Sequence, residues 1–297
     1  MKIAVTGSSG LIGSHLVAEL RREGHDVLSL VRRPVRQPGE VQWDPAAGRL
    51  DPTDLTGIDA AVNLAGPGIG DHRWTADYRR QVRDARVRAT SLLSNVLAEL
   101  DPLPGVLLSG SAVGFYGDRG DQAVTETDPA GGGFLAEVCV EWERATTAAK
   151  DAGIRVCTLR SGVVLSRAGG ALAKQLPLFR LGLGGPLGSG RQYQSWISLT
   201  DEIAAIRHLL TADVAGPVNL TAPNPLRQKD FARALGTATR RPAVFPAPGF
   251  AVKLALGDFA TEGVLAGQKV LPQVLAASGF SFRTPEIHGA LADALRD

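Results

Sequence analysis

Within its first 33 residues, MKIAVTGSSGLIGSHLVAELRREGHDVLSLVRR, the chain lays out a strand, a glycine turn, a helix and a second strand. Lys2 to Thr6 is short and apolar. Leu11, Ile12, Leu16, Val17 and Leu20 recur at helical spacing over 11–22, Gly24 ends that helix, and 27–31 is apolar again. This order predicts a βαβ unit. Gly7 permits the tight turn, Gly10 lets backbone approach a pyrophosphate, and Gly13 lets helix pack on strand. The helix N-terminus then offers free N–H groups and the positive end of its dipole to an anion. Gly7, Ser9, Gly10, Leu11, Ile12 and Gly13 are therefore the candidate dinucleotide cradle.

The end of the second strand selects the dinucleotide. An NAD site usually carries Asp or Glu there, to hold ribose hydroxyls. This chain has Arg32 and Arg33. Two guanidinium forks match the oxygens of a 2′-phosphate and stay charged, so the expected cofactor is NADP(H). The alternative is a solvated pair flanking a loop.

The 297 residues, 44% hydrophobic and 21% charged, describe a globular protein able to bury a large core. A net charge of +2 does not call for nucleic acid. The two cysteines, Cys139 and Cys157, fall in apolar contexts and read as buried thiols. No metal-ligand spacing, membrane-length apolar run or signal peptide is expected, which points to a reducing, cytoplasmic location.

Further along, 35–51 reads as a polar segment with a turn at Trp43-Asp44-Pro45. A third strand is expected over 58–64, and Leu64, Ala65 and Gly66 at its carboxyl end should line the cofactor. A long helix over 74–100 carries Arg79, Arg83 and Arg86 on one face, read as solvated and salt-bridged, with steering or holding of a phosphate-bearing ligand as the alternative and a nucleic-acid surface as a weaker one. Strands over 106–109 and 154–159 bracket a helix over 134–150. This alternation predicts an α/β fold: a Rossmann-like, doubly wound parallel sheet. The expected division is a cofactor-binding domain over 1–165, its sheet completed by later segments, and a smaller substrate-side lobe over 166–297. That lobe includes a helical C-terminal domain at about 246–294. The glycine- and proline-dense LPLFRLGLGGPLGSGRQ reads as a loop over the site mouth.

Taken together, TGSSGLIG, NLAG, SGSAVGFYG, FLAEVCVEWE, LRSGVVLS, QSWISLTDE and LAGQKVLPQVLAASGFSF resemble the short-chain dehydrogenase/reductase superfamily of extended, sugar-nucleotide-epimerase type. The nearer likeness is to its atypical YfcH-like epimerase branch, whose small C-terminal domain of unknown function the tail resembles. The resemblance implies the fold, NADP binding and an epimerase label. Working members of the superfamily use a Tyr-x-x-x-Lys pair on the helix after the serine loop; FLAEVCVEWERATTAAK has no tyrosine, and the lysine position holds an apolar or thiol side chain. Phe134 cannot carry a proton and Lys150 lies too far along. Ser111 matches the serine partner, while Tyr116 and Glu143 are the candidate replacement acid/base groups. An arginine that grips the diphosphate of a sugar nucleotide is replaced in QSWIS by Gln194 and Ser195, with Arg191 nearby. Trp196 reads as packing.

Two functions remain open at this level. One is an NADP(H)-dependent oxidoreductase or epimerase acting on a small carbonyl or hydroxyl compound held between the lobes. The other is a non-catalytic NADP(H)-binding sensor or scaffold.

Overall fold

The computed structural model describes residues 1–296. Seven parallel strands form the central sheet: β1 (Lys2–Thr6), β2 (Asp26–Val31), β3 (Glu40–Gln42), β4 (Ala60–Asn63), β5 (Val106–Ala112), β6 (Arg155–Ser161) and β7 (Gly216–Leu220). Their spatial order is β7-β6-β5-β4-β1-β2-β3. The order reverses between β1 and β4, and a ligand crevice opens beyond the carboxyl ends at such a switch point.

Strand alternation assigns the two faces. Ile3, Val5, Val62, Leu108 and Leu159 pack on Leu16, Val17 and Leu20 of α1 (Leu11–Arg22), and on Ile206 and Leu210 of α5 (Leu199–Thr211). Ala4, Ala61, Leu107 and Val156 face the other way, onto Ala89, Leu93 and Leu97 of α2 (Ala76–Ala98). A second core lies beyond the sheet. There Leu172, Leu176 and Phe179 of α4 (Gly170–Arg180) meet Trp196, together with Phe231 and Leu235 of α6 (Gln228–Thr239) and Leu291 of α7 (Ile287–Ala294). No helix among the described residues is long and apolar enough to cross a membrane.

Several expectations need correction. The polar segment after Arg33 contains β3, whose pairing with β2 extends the sheet by one edge strand and buries Trp43 behind it. The helix expected over 134–150 is two: α3 (Phe134–Arg144) and a helical turn, Thr147–Asp151. The stretch read as a loop over the site mouth begins inside α4, because Leu172, Leu176 and Phe179 recur on one helical face despite Pro177. Arg86 is not solvated; only 9% of it is exposed.

Candidate functional site

The cradle forms where β1 and β4 diverge. Gly7 adopts φ +65°, and a Cβ there would lie 2.5 Å from the Leu64 carbonyl oxygen. A Cβ on Gly13 would strike the Gly7 carbonyl oxygen. Both positions thus require glycine, one for the turn and one for helix–strand contact. Helix α1 starts after Gly10 with no side-chain cap and no acidic residue in its first turn. The N–H groups of Leu11, Ile12 and Gly13 have no intrahelical acceptor and suit a phosphate. Ser9 and Gly10 are exposed at the rim.

A latch unmentioned by any motif fixes the opposite wall. Thr6 Oγ1 donates to Asn63 Oδ1 at 2.7 Å and accepts from the N–H of Leu64 and Ala65. Asn63 Nδ2 donates to Thr90 Oγ1 (2.7 Å) and Ser109 Oγ (3.2 Å), and the Trp142 indole donates to the same Thr90 oxygen. The backbone of Leu64, Ala65 and Gly66 is thereby held against the glycine turn.

The two arginines after β2 differ. Arg33 forms a bidentate pair with Glu40 on β3, at 2.8 and 2.5 Å, and also donates to the Pro34 carbonyl. The Glu40 side chain is 2% exposed; Arg33 and the backbone N–H of Arg36 hold its carboxyl down to about 2. Arg32 is exposed, and its guanidinium makes no hydrogen bond or ion pair with the described residues. Glu40 thus spends the charge of one arginine on orientation and leaves the other for a ligand.

Beyond the carboxyl end of β5 stands a connected polar group. Ser111 Oγ donates to Glu143 Oε1 at 2.7 Å. Arg160 grips that carboxylate bidentately, at 2.8 and 2.9 Å, and donates to the Tyr116 hydroxyl at 3.0 Å. Tyr116 donates onward to Asn219 Oδ1 at 2.7 Å. Arg160 is 4% exposed and stacks 3.4 Å over the Phe115 ring. Ser111, Tyr116 and Glu143 are therefore brought together, by an arginine the sequence reading did not single out. Tyr116 is fully buried, and burial raises its hydroxyl above the usual range. Of the three, Glu143 keeps the most exposed side chain, at 16%.

The helical face that approaches β5 carries Leu135, Cys139 and Glu143, spaced by four. Cys139 is buried, and desolvation pushes its thiol up to about 11. Phe134 joins an aromatic cluster with Trp74 and Phe259, with centroids 5.1 Å and 5.5 Å from the Trp74 ring. The N-terminus of α3 is capped from far away: Glu262 accepts the N–H of Leu135 at 2.9 Å.

In QSWIS, Ser195 is buried and donates to the Gln268 carbonyl at 2.7 Å, and Trp196 is fully buried with its indole N–H on the Asn224 carbonyl. Neither Ser195 nor Trp196 has a side chain free for a ligand.

Residues 3–221 match the model of the NAD dependent epimerase/dehydratase family, and residues 247–294 match a domain of unknown function, DUF1731. An epimerase family protein of Mycobacterium bovis is 46% identical over 99% of this chain and 96% of its own length. The human epimerase family protein SDR39U1 is 35% identical over 99% of both chains. A crystal structure of human SDR39U1 (isoform 2) with NADPH superposes with a TM-score of 0.92 at 34% identity, covering 100% of each chain. A UDP-glucose 4-epimerase from Thermotoga maritima with UDP-glucose shares the fold, with a TM-score of 0.78 at 15% identity.

Proposed function

The chain belongs to the NAD dependent epimerase/dehydratase family, and from that premise we propose that it binds NADP(H) and acts as an oxidoreductase or epimerase on a small carbonyl or hydroxyl compound. The observation that carries this reading is the exposed, unpaired Arg32 beside a Glu40-clamped Arg33, at the end of β2 and on the same sheet edge as an uncapped helix N-terminus. NADPH in the human relative accords with it. The glycine cradle fits the group: the Gly7 and Gly13 backbones are close enough to their neighbours to exclude any side chain, and the first N–H groups of α1 lack acceptors. The cofactor would supply or accept hydride. Gly7–Gly13 would hold its diphosphate, Leu64–Gly66 would flank it, and Arg32 would take the 2′-phosphate.

Ser111 would orient the reacting oxygen. Glu143, fixed by Arg160, accepts the Ser111 proton in the hydrogen bond and keeps that hydroxyl aimed. Tyr116 and Asn219 hold Arg160 in turn.

One observation favours the second reading, a sensor or scaffold that binds NADP(H) without turnover. The α3 face toward β5 offers an alkyl group, a thiol raised to about 11 and a carboxylate already paired with Arg160, in place of a Tyr-x-x-x-Lys pair. Calorimetry with NADPH and NADH, followed by hydride transfer against a broad carbonyl panel, separates the readings. Turnover that Ser111→Ala slows without changing NADPH affinity supports an enzyme. Tight NADPH binding with no turnover supports the sensor. Absence of NADPH binding by folded protein refutes both.

A further inference from the structure

Eight of the eleven large apolar side chains exposed among the described residues lie in two short stretches, 178–183 and 244–256. Leu181, Phe250 and Leu254 are 71%, 76% and 74% exposed. Hydrogen bonds join the two stretches into one strip. Arg241 Nε donates to the Arg180 carbonyl (3.1 Å), the N–H of Phe245 to that of Gly184 (3.2 Å) and the N–H of Ala247 to that of Pro186 (2.8 Å). An exposed apolar surface gathered in one place marks a binding site, whereas scattered single residues do not.

The strip leads out of the crevice. Helix α4 starts against the cradle, where a Cβ on Gly169 would lie 3.4 Å from Leu11 Cδ2, and ends in the strip. Lys174, one turn before Leu178, donates at 2.7 Å to the Gly70 carbonyl, on the loop that follows the Leu64–Gly66 wall. The helix Gly249–Leu256 ends against the same loop: a Cβ on Gly257 would lie 3.2 Å from Arg73 Nε. Phe250 also lines a cavity of about 420 Å³, together with Leu265, Ser189, Gln192 and Lys253. Leu265 lies between two anchors to the polar group beyond β5. Glu262 accepts the N–H of Leu135 on α3, and Gln268 Nε2 donates to the carbonyls of Val113 (3.2 Å) and Gly117 (3.1 Å), just after Ser111.

The chemistry of this surface does not suit a sugar nucleotide. Sugar hydroxyls are held by acceptors, carboxylates foremost, and neither 152–200 nor 231–257 contains an Asp or Glu. In the cavity, Ser189 donates to Gln192, and Gln192 donates to the Leu187 and Val264 carbonyls. Lys253 is different: it is exposed, and its ammonium makes no hydrogen bond or ion pair with the described residues. Apolar walls and one free cation select a ligand by its apolar body and orient it by a single charge.

We propose that the substrate is a carbonyl or hydroxyl compound with an extended apolar body and one anionic group, an amphiphile whose body lies along the strip with its anion at Lys253. This rests on reading the crevice as an active site. Phe250 and Lys253 then determine specificity, at a distance from the reacting oxygen that Ser111 orients.

The test uses the full chain loaded with NADPH and reads binding by calorimetry, with decanoate, decyl phosphate, decanol and UDP-glucose as probes below micelle-forming concentrations. Decanoate and decyl phosphate should each bind at a single site, the tighter of the two showing which anion Lys253 accepts, and UDP-glucose should bind more weakly than either. Lys253→Gln should weaken both anionic probes by about fivefold and leave decanol unchanged. Phe250→Ala should weaken all three decyl probes by about tenfold. Both side chains are exposed, so both variants should keep the wild-type melting point. UDP-glucose binding as tightly as decanoate, or decanoate affinity within about twofold of wild type in either variant, overturns the proposal. So does a dimer, or adhesion to phosphatidylglycerol vesicles, that Phe250→Ala abolishes while decanoate affinity stands, because the strip then has another occupant. Folded protein that fails to bind NADPH refutes the parent reading instead, whereas NADPH binding without binding of either anionic probe refutes only this one.

Discussion

Glu202 stands in the first turn of α5, wholly buried, with Oε1 accepting from Ser161 Oγ at 2.7 Å and Oε2 without a partner. Burial pushes its carboxyl from an ordinary value of 4.5 up to about 7, against the smaller opposing pull of the Ser161 hydrogen bond. A helix N-terminus favours a carboxylate by up to about 1 kcal/mol, so desolvation wins here. Each factor of ten in proton affinity is about 1.4 kcal/mol, and ionised Glu202 therefore costs the fold about 3 kcal/mol. Below pH 4.5 the group is protonated in folded and unfolded chains alike, and the cost is absent. As pH rises the unfolded chain ionises first, and stability falls until the folded group also ionises near pH 7. Glu202→Gln removes this titration. Its stability relative to wild type should rise by about 3 kcal/mol between pH 4.5 and pH 8. At about 2.1 cal/mol/K per residue over 297 residues, that is about 5 °C in melting temperature. Melting both proteins across that range provides the assay. A wild-type-minus-variant difference that does not change with pH would refute the argument.

Three further outcomes are expected. Gly10→Val should abolish NADPH binding, seen by calorimetry, with little loss of melting temperature, because Gly10 has ordinary φ (−76°) and its added Cβ would meet only the Gly7 carbonyl at 3.3 Å. Arg32→Asp combined with Arg33→Ala should raise the NADPH dissociation constant by about a hundredfold and leave NADH within severalfold; an equal loss of both would count against a 2′-phosphate site. Glu143→Gln should cost about 3 kcal/mol in urea denaturation, since it leaves Arg160, 4% exposed, without its carboxylate; a cost below 1 kcal/mol would mean that water reaches the guanidinium.

The elements legible in the sequence are those specified by neighbours along the chain. Gly7, Gly10 and Gly13 fall between a strand and a helix, and their spacing alone dictates a turn, so β1, α1 and the cradle follow. The buried strands β4, β5 and β6 are each bounded by small or turn-forming residues. Strand β3 has three residues, too few to show a period, and its hydrogen bonds to β2 decide it. The helix α4 was hidden by glycine and proline density, although Leu172, Leu176 and Phe179 carried its spacing. The candidate site was legible as a set of residue types and not as a set of pairs. Arg33 and Arg32 look equivalent until Glu40 is seen beside one of them. Arg86 looks like a surface arginine until Trp142 and Gly66 close over it. Such pairings join positions tens of residues apart, and only packing creates them.

The cap that Glu262 places on α3 reaches back across more than a hundred residues to the helix that carries Glu143. During synthesis the glycine cradle emerges first and Glu262 near the end. A nascent or prematurely terminated chain would thus own the cradle while the N–H of Leu135 still lacked its acceptor, so the helix that carries Glu143 gains its first-turn acceptor only after residue 262 has been made.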